Sequence, residues 1–119
     1  MKENVLLEKC IKFSVRIVKL AEFLEEKKQR VLAGQILRSG TSIGANAAES
    51  AYAASNADFV NKLKIAEKEA GETRYWLRVL KAAEFIDEKQ YDSLFADIKE
   101  LLKLLAASIV TVKIKMTND

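Results

Sequence analysis

Apolar residues recur along the chain at alternating steps of three and four, the period of one face of an α-helix. Leu6, Cys10, Phe13, Ile17, Leu20 and Leu24 make the first such seam and predict a helix from about Val5 to Glu26. The stretch from Lys27 to Arg30 has no apolar residue, which predicts the first turn there. A second helix carries Leu32, Ile36, Ser39, Ile43, Asn46 and Ser50, a narrow seam that grows more polar along its length. Ser55 followed three residues later by Asp58 has the form of a capping box, so the third helix starts at Asn56. It runs through Phe59, Leu63, Ala66, Ala70, Thr73, Leu77 and Leu80. Asp87 and Gln90 repeat the capping offset and open a fourth helix, with Leu94, Ile98, Leu101, Leu105, Ser108 and Val112 on its seam. Phe95, Leu102, Ile109 and Met116 flank that seam. The tail from Ile109 to Ile114 is β-branched, but a lone strand would lack a partner, so it is read as helical. Short connections between long amphipathic helices predict an all-α, up-down-up-down four-helix bundle, one domain over residues 1–119.

One stretch, RSGTSIGANAAES at residues 38–50, interrupts this pattern with small residues. A phosphate-binding loop needs a preceding strand and a Gly-Lys-Ser/Thr ending, and both are missing. Gly40, Gly44 and Ala48 are four apart, so on a helix they form one bare stripe. Each glycine costs a helix roughly 1 kcal/mol against alanine. The stripe offsets that cost if another backbone packs closely against it. It is therefore expected to be a packing face.

Composition narrows the chemistry further. Half of the 119 residues are apolar, 31% are charged and none is proline, a mixture that suits helices. The longest apolar run is far below the ~20 residues of a membrane span. The amino-terminal sequence has no secretory hydrophobic block, and the single cysteine, Cys10, has no internal disulfide partner. Both features lead to the expectation of a cytoplasmic protein. With no histidine, the commonest general base and metal ligand is missing. The net charge of +3 is too mild to indicate nucleic acid by itself.

Two surface patterns remain. On the third helix Ile65, Glu69, Glu72, Trp76, Val79 and Ala83 form a second seam with two carboxylates in apolar company. The second helix offers Arg38, Ser42, Ala45 and Glu49, with Asn46 beside them. Packed together, these faces predict a polar cluster of Arg38, Asn46, Glu49, Glu69 and Glu72, in which Arg38 pairs with a buried carboxylate and fixes helix register. A magnesium-dependent nucleotide hydrolase is the sharper alternative, since carboxylates alone can hold magnesium; the expectation is no metal, no cofactor and no catalytic residue. On the first helix Lys9, Lys12, Arg16 and Lys19 make a basic row that could contact phosphates through charge and shape. Leu7, Ile11, Val18 and Ala21 widen the apolar face on the other side, more than a small bundle requires, which points to self-association.

Taken together, "QILRSGTSIGANAAES" and "DFVNKLKIAEKEAGETRYWLRVLKAAEFI" resemble the four-helix-bundle proteins encoded within intervening sequences of bacterial 23S ribosomal RNA genes. That family includes the accessory protein of diversity-generating retroelements. The resemblance is strongest from Gln35 to Ile86, on Arg38, Ser39, Ser42, Ile43, Asn46, Glu49, Phe59, Ala66, Glu69, Glu72 and Leu77. Many relatives carry a proline in the first turn, where this chain has Lys27, Lys28, Gln29 and Arg30. The resemblance implies a non-enzymatic protein, a homo-oligomer of five copies, and RNA or DNA and a reverse transcriptase as partners. The competing expectation is a protein-interaction scaffold that does not touch nucleic acid.

Overall fold

The computed structural model describes residues 2–118 and consists of four helices in antiparallel sequence. They are α1 (Lys2–Glu26), α2 (Arg30–Ser50), α3 (Asn56–Ala82) and α4 (Glu88–Asn118). Each packs on its neighbours in the chain, and α4 closes against α1. The rod measures 53 × 23 × 21 Å. Among the described residues there is no strand, and the β-branched tail continues α4 as a helix.

Most seam positions are buried, and one difference is instructive. On α1 the buried set is Leu6, Cys10, Phe13, Ile17, Ala21 and Leu24, so Ala21 replaces Leu20 in the core. Strict alternation of three and four averages 3.5 residues per turn, while a straight helix has 3.6, and the extra step of four corrects the drift. Ala21 thus leaves the exposed flank expected of it.

The bare stripe on α2 lies against α1. A Cβ built on Gly40 would stand 2.7 Å from Cγ2 of Ile17, and one on Gly44 would stand 3.0 Å from Cβ of Cys10. The first distance is not tolerable for real atoms and the second would require Cys10 to give by a few tenths of an ångström, so these glycines, Gly40 above all, set the α1–α2 spacing.

Local chemistry fixes the helix ends. Ser55 accepts from the Asp58 N–H at 3.1 Å, while the Asp58 carboxylate returns a bond to the Ala54 N–H. Asp87 and Gln90 bond each other's backbone N–H reciprocally, the complete capping box. At the carboxyl ends of α1 and α3, Lys28 and Glu84 adopt the left-handed conformation, with φ of 63° and 66°. In both cases the following N–H reaches back five residues, Gln29 to the Leu24 carbonyl and Phe85 to the Leu80 carbonyl. These are Schellman closures built without the usual glycine.

Candidate interaction surfaces

The α2–α3 contact is centred on Ser39 and Thr73, both fully buried, whose hydroxyl oxygens lie 3.0 Å apart. Thr73 also bonds the Glu69 carbonyl at 2.8 Å. Arg38 is one residue from Ser39 and so 100° round the helix. That places it at the rim of the contact, with its side chain 50% exposed. Its guanidinium donates to Glu69 at 3.2 Å and to Glu72, and the Trp76 indole N–H donates to Glu72 at 3.0 Å. The Arg38 bond first, and the Trp76 bond second, hold the Glu72 carboxyl below its usual range.

The five residues read as one polar cluster separate here. Glu49 pairs with Lys62 at 3.1 Å, and Asn46 donates to the Ser42 carbonyl one turn back on its own helix. Glu69 and Glu72 are 19% and 37% exposed, so the buried carboxylate expected opposite Arg38 is a rim carboxylate instead. Among the described residues no group of three or more His, Cys, Asp or Glu is placed to hold a metal ion.

The basic row of α1 faces α4. Lys9 pairs with Glu100 at 3.2 Å. Arg16 pairs with Asp97 at 2.6 Å and donates to the Ser93 hydroxyl at 3.0 Å. Ser93, Asp97 and Glu100, spaced four and three beside the α4 seam, were the missed partners of this row. Their spacing was readable, but which helix they would face was not. Lys12 and Lys19 are exposed, with no carboxylate within ion-pair distance among the described residues.

On the other edge of α1, Leu7, Ile11, Val15 and Val18 are between 36% and 57% exposed. Val15 joins the flank read from sequence, and Ala21 leaves it. Beneath the α2–α3 connection, a cavity of about 470 Å³ is lined by Leu6, Ala47, Ala51, Phe59, Leu63 and other uncharged residues. It offers no acid or base. The Cys10 thiol is buried, which pushes its pKa up to about 11 and leaves it neutral and unreactive.

The sequence model of the 23S rRNA-intervening sequence protein family matches residues 2–107. The chain belongs to this family. A solved structure from Bacteroides thetaiotaomicron, a protein of unknown function from the S23 ribosomal protein family, matches with a TM-score of 0.88 and 54% identity. The match covers 92% of this chain and 98% of that one. No curated protein matches the chain. The 23S rRNA-intervening sequence family match takes in the first three helices and most of α4. It stops before the α4 tail, where Val110, Ile114 and Met116 are exposed.

Proposed function

We propose that this family member is a non-enzymatic, self-assembling protein that binds nucleic acid weakly and without sequence preference. The observation that carries the reading is the exposed aliphatic edge of α1. Leu7, Ile11, Val15 and Val18 follow one helix edge outside a core that is already complete without them. Burying an aliphatic side chain contributes about 1.5–3 kcal/mol, so covering this edge with a second copy favours association. Five copies is the state implied by resemblance to ring-forming relatives. Positive charge on each copy would then repeat around the assembly and strengthen its field.

The competing reading is a protein-interaction scaffold. It is favoured by the engagement of Lys9 and Arg16 with α4 carboxylates, which leaves only Lys12 and Lys19 of the proposed phosphate-binding row uncommitted. Substituting Ile11→Glu together with Val18→Glu tests self-assembly. The account expects a folded double variant with the mass of a single chain and a parent of higher mass. Equal masses for the two would remove the α1 edge from the assembly.

A further inference from the structure

Besides Lys12 and Lys19 of α1, a larger group of cations without an ion pair among the described residues lies on and beside α3. On α3, positions 64, 68, 71, 75 and 78 are spaced four, three, four and three, so they form one stripe on the solvent side. They are Lys64, Lys68, Gly71, Tyr75 and Arg78, all exposed, and Tyr75 is 58% exposed. A Cβ on Gly71 would meet nothing within 4 Å, so the middle of the stripe is open backbone. Alongside it, the Arg74 guanidinium lies 4.3 Å from the Phe95 ring centroid, and the Lys99 ammonium lies 5.1 Å from the same ring. Lys64, Lys68, Arg74, Arg78 and Lys99 have no carboxylate within ion-pair distance among the described residues.

Much of the other charge on α3 is paired at the rim of the helix contacts. Glu69 and Glu72 turn to Arg38 on the α2 side, Lys62 turns to Glu49, and Lys81 lies 3.8 Å from Glu88. On α3, Glu67 is the carboxylate nearest in sequence to this stripe that makes no ion pair among the described residues. Lys68 also sits near enough to Glu72 to help lower its pKa and favour its charged form. The stripe spans about 21 Å from Lys64 to Arg78 at 1.5 Å per residue.

We propose that this α3 face is a binding surface for single-stranded nucleic acid. Lys64, Lys68, Arg74 and Arg78 would take phosphates, and Tyr75 would stack on an unpaired base. The choice of a single strand rests on Tyr75. Its exposed ring stands edge-on to Trp76, with centroids 5.1 Å apart, which holds it beside the cations. An aromatic ring among uncommitted cations suits an unstacked base, whereas a duplex keeps its bases out of reach. Arg74, held over Phe95, keeps its guanidinium edge free for phosphate. This inference rests on the nucleic-acid part of the proposed function and moves its main contact from α1 to α3.

The test is titration of a labelled, mixed-sequence single-stranded oligonucleotide, and of a duplex of equal length, at low and rising salt. Four phosphates on a single strand predict a slope of log affinity against log salt near −3, about 0.7 for each. Lys64→Glu with Arg78→Glu should weaken binding at least about tenfold at low salt and flatten the slope by about 1.4. Lys64→Gln with Arg78→Gln should give the same direction if the reversed pair folds poorly. Tyr75→Ala should weaken single-strand binding by about tenfold with the slope unchanged. Preserved affinity in the folded α3 variants, with loss in Lys12→Glu/Lys19→Glu, would overturn the α3 assignment and leave the nucleic-acid reading standing. Equal affinity for the duplex, or no effect of Tyr75→Ala, would overturn the single-strand specificity. A parent that binds neither probe at low salt would overturn both readings.

Discussion

At the level of single residues, Gly40 decides how closely α1 and α2 approach, while Gly34 has nothing within 4 Å of a notional Cβ. Gly40→Ala should therefore force Ile17 and the α1 backbone apart and destabilise the fold by about 1–3 kcal/mol. Gly34→Ala gains helix propensity without a clash and should stabilise it by about 1 kcal/mol or less. Thermal unfolding of the two variants checks both signs. Arg38 behaves differently from the buried partner that its spacing suggested. Because Glu72 is held below its ordinary range in the fold, the interaction contributes stability above that range and loses it as pH falls through the lowered value. Arg38→Leu should leave the midpoint nearly unchanged near neutral pH, as expected of a rim ion pair, and should blunt the acid-side fall. A large loss at neutral pH would show the carboxylates to be buried after all. Cys10 runs the opposite way. Its thiol is pushed up to about 11 from 9.0, so the stability it contributes is present below pH 9.0 and is lost as pH rises toward about 11. At neutral pH it should react with alkylating reagents only after unfolding, a rate that mass spectrometry follows.

Single elements show where the sequence was legible and where it was not. Helix starts were readable because Ser55, Asp58, Asp87 and Gln90 act on backbone within four residues of themselves. The ends were harder, because Lys28 and Glu84 stand at left-handed positions where glycine is the usual signal. A left-handed residue with a Cβ costs roughly 1–2 kcal/mol. Lys28→Gly or Glu84→Gly should thus raise stability by about 1 kcal/mol, with the midpoint of denaturant unfolding as the readout. An unchanged or lowered midpoint would mean that the closure carries no such strain. Ion-pair partners were the least legible feature. The rows Lys9–Arg16 and Asp97–Glu100 each follow helical spacing, yet nothing local states that α1 and α4 bring them together. The same holds for Glu49, which was matched with Arg38 on its own helix face but finds Lys62 across the connection. Spacing gives a residue's face, and only tertiary packing decides what that face meets.

For the whole molecule, the surplus apolar edge of α1 is what supports the proposed assembly. A 13.4 kDa bundle with a complete core gains nothing internally from leaving Leu7, Ile11, Val15 and Val18 exposed. A single surface of this kind would suffice for a symmetric dimer, whereas a ring of five needs two different faces on each copy. In the proposed ring the α1 edge would be one, and the exposed Val110 and Ile114 of the α4 tail would offer apolar area for another. The direct measurement is the mass in solution by light scattering across a micromolar concentration range, without nucleic acid. The account predicts a stable multiple of 13.4 kDa, five-fold for the ring. A mass of 13.4 kDa throughout that range would contradict it.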